Sequence, residues 1–213
     1  MSRPATWFRS AIALVRHHRR PYLIINIVYY GLVSAAMVFV AGHPELQHAL
    51  MAQIAVSLTQ GPLSGVSEAY MSGNVLPAAA LTFVFNFFLG ALAVLLLPSM
   101  VIPFAGIGIG LIRATLWGLL LAPTTPELQA AMIPHTLTLI IEGQGYILAM
   151  LAAWALGSAF VSPSSVGAAS RSAGYVRGLK DAATVFLLVA IVLAVAAVYE
   201  AFEVIHLVPM LLP

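Results

Sequence analysis

Five stretches of the chain run almost without charge, at about 22–41, 77–97, 104–122, 132–160 and 182–204. Each approaches or exceeds the roughly 18–20 apolar residues that carry an α-helix across a ~30 Å hydrocarbon core. The pattern predicts an all-α fold, a polytopic transmembrane helix bundle of about five spans forming a single integral membrane domain over 1–213. The fourth stretch is long enough to predict a tilted helix, or one broken at Gly143 or Gly145.

The connections differ in kind. Residues 1–21 form a basic leader, within which ATWFRSAIALVRHHRR sets Trp7, Ala11, Leu14 and His18 on one helical face and Arg9, Arg16 and Arg20 near another. That spacing predicts an amphipathic helix lying at the bilayer surface, its basic side toward anionic lipid. Residues 43–76 are the only sizeable segment on the opposite side: a surface helix beginning at Pro44, then a loop, GPLSGVSEAYMSGNVLP, whose Gly, Pro and Ser interrupt any period. Residues 162–181, SPSSVGAASRSAGYVRGLKD, read as a small, polar, basic loop where a cytoplasmic ATPase would find a docking point, or as a plain linker.

Composition narrows the picture to lipid. The 213 residues are 62% hydrophobic and 8% charged, whereas soluble domains carry about a quarter charged residues. The formal net charge is only +2, and most of its basic residues flank spans, so the excess is no nucleic-acid signal. Arg3, Arg9, Arg16, Arg19 and Arg20 precede the first span, and Arg171, Arg177 and Lys180 lie between the fourth and fifth. With five spans both groups share one side, which the positive-inside rule makes cytoplasmic: amino terminus in, carboxyl terminus out. Glu45, Glu68, Glu127 and Glu203 then fall outside, as do His43, His48 and His206. The first apolar run is too long for a signal-peptide core and is read as a retained span. With no cysteine there is no disulfide framework, thiolate metal site or cysteine nucleophile.

Against this background the polar residues inside the spans carry the functional question. Asn86, Arg113 and Glu142 each lie eight or nine residues from the outer end of their own span. At 1.5 Å per residue that is roughly 12–14 Å deep, near mid-bilayer. Three neighbouring antiparallel helices thus put their polar residues in one layer, which predicts an Arg113–Glu142 ion pair with Asn86 filling a remaining hydrogen-bond position. Glu200 lies near the outer end of the last span, where snorkelling accounts for it. Gln144 points away from Glu142, toward a neighbouring helix. Gly106 and Gly110 in GIGIG, and Gly90, predict close helix packing. GIGIG has neither the lysine nor the strand–helix setting of a phosphate loop. His135 and Glu142 are seven apart and share a helix face, yet no third ligand is evident, so no metal site is expected. Catalytic motifs such as HExxH or GxSxG are absent.

FVFNFFLGA, FAGIGIG, MIPHTLTLIIEGQGYILAMLAAWALG and the closing GLKDAATVFLLVAIVLAVAAVYEAFEV follow one another in an order that resembles the stage II sporulation protein M family, over residues from about 80 to the end. Ala105 stands where that family commonly has Asn, and Thr136 where it has Gly. The residues matched by motif are Asn86, Gly90, Gly106, Gly110, Pro134, His135, Glu200 and Glu142. The resemblance implies a five- or six-helix bundle without enzymatic activity or cofactor, in the bacterial inner membrane, working beside other subunits of a membrane complex or as a homo-oligomer.

Three functions are therefore open. The first is a non-enzymatic membrane scaffold or permease-like subunit. The second is a transporter or channel component with Asn86, Arg113 and Glu142 along its path. The third, an intramembrane enzyme using His135 with a carboxylate, has the least support, and the chain is read as no enzyme.

Overall fold

The computed structural model describes residues 3–61 and 64–212, the side chains of 3–5, 58 and 59 aside. It is all-helical, at 90% helix, with no strand among the described residues. A surface helix α1 (Arg3–His17) leads into α2 (Arg19–Ala41), followed by α3 (Pro44–Gln60) and the short α4 (Ser64–Met71). Next, α5 (Val75–Val84) passes into a π-wound segment, Phe85–Leu96, and then α6 (Leu97–Val101). After α7 (Ala105–Leu121) and α8 (Pro126–Val161) comes a 3-10 turn at Pro163–Val166. The chain closes with α9 (Arg171–Phe202), a π turn at Glu203–Leu207, and α10 (Val208–Leu211).

Four helical stretches are long and apolar enough to span a membrane: Arg19–Ala41, Val75–Val101, Pro126–Val161 and Arg171–Leu211. They mark the chain as a membrane protein. Their outward residues fit that solvent, since Ile27 and Val38 are 73% and 77% exposed. The remaining predicted span is the 17-residue apolar helix α7. Its length of about 25 Å, at 1.5 Å per residue, is a little under the hydrocarbon thickness. The most enclosed of these four is α8, with 67% of its most apolar window buried against 28% for α2.

Two connections differ from expectation, and the alternatives open for the fourth span are narrowed. The fourth span has no break, because α8 runs unbroken through Gly143 and Gly145. Gly143 serves contact instead, since a Cβ there would come within 2.7 Å of the Tyr30 hydroxyl. The basic segment 162–181 is mostly helix: α9 starts at Arg171 and carries Arg171, Arg177 and Lys180 on its first turns, leaving 162–170 to connect. The expected loop after Gln60 contains α4, whose Ala69 packs with Ala78, Ala79 and Ala201. Burial of that small apolar face outweighs the weak helix propensity of its Gly and Ser. The leader helix forms as expected, with Ala11 buried and Arg9 and Arg16 exposed, although Trp7 remains 61% exposed.

The chain divides into two compact units, and five helices contribute to both. The first comprises Met1–Tyr29, Asn86–Ile112 and Gln144–Val192. Glycines set its helix contacts: a Cβ at Gly106 would lie 2.0 Å from the Leu95 carbonyl oxygen, and one at Gly174 2.1 Å from that of Ala159. Gly110 faces Met150 and Gly90 faces Tyr146 in the same manner. Close backbone approach of this kind drives helix association where lipid removes the hydrophobic driving force. Ser99 bridges the first of these contacts, donating to the Leu95 carbonyl at 3.0 Å and accepting from the Gly106 N–H at 2.7 Å. The turn between α6 and α7 sets Phe104 in a left-handed conformation, φ 67, with its ring 5.3 Å from that of Trp154. An aromatic residue held there is strained by about 1–3 kcal/mol.

The second unit comprises Tyr30–Phe85, Arg113–Gly143 and Leu193–Pro213. Here Gly118 lies against the backbone of Val33. The end of α7 is capped from α3: fully buried Gln47 donates to the carbonyls of Leu120 and Ala122, both at 2.9 Å, and accepts from the Thr124 hydroxyl. These carbonyls are among the orphan acceptors of a helix C-terminus.

Candidate functional site, a buried cluster of ionisable residues

The spacing along α8 builds one side of the site. His135, Thr138 and Glu142 stand at i, i+3 and i+7, so they share a face. Glu200 and Glu203, three apart near the end of α9, supply a second side. Arg113 comes from α7, and Tyr70 comes from α4. All of these belong to the second unit.

Arg113 Nη2 lies 3.6 Å from Glu142 Oε1, with side chains 25% and 13% exposed. The guanidinium also lies over the Trp117 ring, 5.2 Å from its centroid and one turn along α7. Guanidinium over an indole face is a favourable cation–π arrangement. The ion pair expected from depth alone is thus present, with an aromatic neighbour that the depth argument did not include.

His135 pairs elsewhere. Its Nδ1 lies 2.5 Å from Oε1 of Glu203, whose side chain is wholly buried. The carboxylate that His135 meets is thus Glu203, and not Glu142, with which it shares a face of α8. The helix α9 continues past Phe202 into the π turn Glu203–Leu207, and position 203 keeps the face of Glu200 three residues before it. π turns of this type frequently accompany functional sites.

Glu200 does not snorkel. Its Oε2 is enclosed and has no hydrogen-bond partner, and the same holds for Glu203 Oε2 and Thr138 Oγ1. The charge on Glu200 is close enough to those of Glu142, His135 and Glu203 to interact with all three. Tyr199 donates to the Pro134 carbonyl at 3.2 Å, the acceptor one turn before Thr138. On α4, Tyr70 and Thr82 share a hydrogen bond of 2.9 Å. Burial first, and then the neighbouring carboxylates, push the Tyr70 phenol above its ordinary value, so it stays neutral.

Asn86 lies in the first unit, half-buried in the π-wound segment. Gln144 does reach a neighbouring helix: it accepts from the Tyr22 hydroxyl at 2.7 Å and donates to Asn26 Oδ1 at 2.7 Å. Asn26 in turn donates to the Tyr22 carbonyl at 2.8 Å. This closed neutral network joins α2 to α8 within the first unit.

Residues missed from sequence are Glu203, Thr138, Tyr70, Asn26 and Gln47. The available signal was the Glu200–Glu203 spacing, which puts both carboxylates on one helical face. Among the described residues no group of three His, Asp or Glu has the geometry to hold a metal ion. Comparison with protein-family models, with curated proteins and with solved structures returned no match.

Proposed function

We propose that the chain is a non-enzymatic integral membrane subunit, permease-like in build, that works within a larger membrane complex of the bacterial inner membrane. The observation that supports this reading most is the placing of Arg113, His135 and three glutamates inside a bundle whose outer faces are apolar. Ionisable residues at such positions cost about 2.5–3.5 kcal/mol each to insert, and are kept where they pair or serve a pathway. The resemblance to the stage II sporulation protein M family points the same way. In this reading α7 completes a set of five spans, with the amino terminus and the start of α9 cytoplasmic. A route for protons or small ions through the second unit is the second reading, favoured by the enclosed, unpartnered oxygens of Glu200 and Glu203.

One set of variants tests both. The subunit reading expects the double variant Arg113→Met/Glu142→Leu to insert and to co-purify with its partners better than either single variant, because no lone charge remains. Loss of function in all three, with insertion intact, favours the ion route instead. Since the protein has no cysteine, single cysteines report its orientation directly. A membrane-impermeant maleimide should label Glu68→Cys in intact cells and spare Ser172→Cys; the reverse pattern overturns the proposed orientation.

A further inference from the structure

The cluster in the second unit contains three carboxyl groups and two basic side chains, and geometry apportions them. Arg113 is 3.6 Å from Glu142, giving a pair with no net charge. His135 is 2.5 Å from Glu203, so that carboxylate has a basic ring against it, and the pair is neutral overall when the imidazole is protonated. Glu200 has no basic side chain of its own, and its Oε2 is enclosed without a hydrogen-bond donor. The other polar groups of the cluster are hydroxyls: Tyr70 on α4, close enough to Glu200 to interact with it, Tyr199 on α9, which donates to the Pro134 carbonyl, and Thr138 on α8. None of them supplies a positive charge. An isolated carboxylate in such surroundings is costly enough that the group neutralises instead.

We infer that the cluster binds one exchangeable proton on Glu200, making this residue the protonation switch of the second unit. The inference deepens the proposed function and rests on the cluster lying inside a membrane bundle. The step is simple: a proton from water joins a carboxylate oxygen of Glu200 and later returns to water, with no other bond made or broken. A metal cation would share the attraction to the carboxylates, but among the described residues the enclosed unpartnered side-chain oxygens are Glu200 Oε2, Glu203 Oε2 and Thr138 Oγ1. Hard cations such as calcium or magnesium take about six or more oxygen ligands, whereas a proton needs one. The neighbouring pairs give the switch something to act on. Deprotonating Glu200 places a third negative charge beside Glu142 and Glu203, and draws Arg113 and His135 toward it. The π turn that begins at Glu203 is where such a shift would be taken up.

Infrared spectroscopy of the full chain in nanodiscs tests this, using the stretching band of a protonated carboxyl group. The wild type should show the band at neutral pH and lose it on alkaline titration. Glu200→Gln, which copies the shape and charge of the protonated form, should fold normally and lack the band altogether. Glu203→Gln should retain it. Absence of the band in wild type at neutral pH overturns the inference, as does its persistence in Glu200→Gln or its loss in Glu203→Gln alone. Removal of the band by sodium at fixed pH assigns the site to a metal cation and also overturns it. None of these results depends on partner binding, so the assignment can fail while the subunit reading stands, and the reverse.

Discussion

The first unit holds its polar groups in neutral hydrogen bonds, whereas the second adds to such bonds, at Gln47, a cluster of ionisable residues. In the first, Tyr22, Asn26 and Gln144 form a closed neutral network, and Ser99 both donates and accepts within the Gly106 contact. In the second, ion pairs stand beside Thr138, Glu200 and Glu203, each with an enclosed oxygen that no donor or acceptor meets. A neutral, closed network fixes one packing and has nothing left to offer. A cluster with unmet oxygens is held in place only because the helices around it are already packed. Native proteins satisfy nearly all buried polar groups, so such exceptions call for an explanation. The contrast separates a part of the molecule built to hold shape from one built to respond.

The sharpest way to break this contrast is Glu142→Leu, which leaves Arg113 without its carboxylate. The expected loss is about 3 kcal/mol, at the low end for a broken buried pair because both side chains keep some exposure. Thermal unfolding in detergent should register it, and adding Arg113→Met should recover most of it. If Glu142→Leu alone is as stable as wild type, the pair is no part of the cluster's architecture. The next effect belongs to the first unit. Gly106→Ala pushes a methyl group into the Leu95 backbone and should cost about 2 kcal/mol, as overpacking does. Gly108→Ala, on the open side of the same helix, meets nothing and should be neutral or gain up to about 1 kcal/mol. Equal behaviour of the two alanines would remove the packing role assigned to GIGIG. Smallest is Tyr22→Phe, which deletes one neutral hydrogen bond to Gln144 and should cost about 1 kcal/mol. A larger loss there would mean that the first unit, too, relies on strongly coupled polar groups.

Much of the fold was legible because lipid imposes a simple local rule, an apolar run of membrane length. That rule found the long helices and α7, and comparing depths along them found Arg113 and Glu142. It failed where partners come from distant elements. Gln47 reads as one more polar residue of a surface helix, yet it caps α7 through the carbonyls of Leu120 and Ala122. Glu203 reads as a residue beyond the last span because the span boundary falls before it; its spacing of three from Glu200 was the one sign that the two share a face. The region after Gln60 was legible only as loop, since Gly and Ser hide the alanine face that α4 buries beside Ala78 and Ala79.

The twelve π-wound residues from Phe85 to Leu96 have a consequence for how this chain tolerates changes of length. Each i→i+5 turn holds a residue more than the ordinary ladder requires. Deleting one position inside that stretch tightens a turn to normal pitch, while the flanking helices keep their phase. The same deletion in α8 would rotate every later side chain by about 100°. The chain carries this slack in its π-wound stretches and none in α8, which bears His135, Thr138 and Glu142.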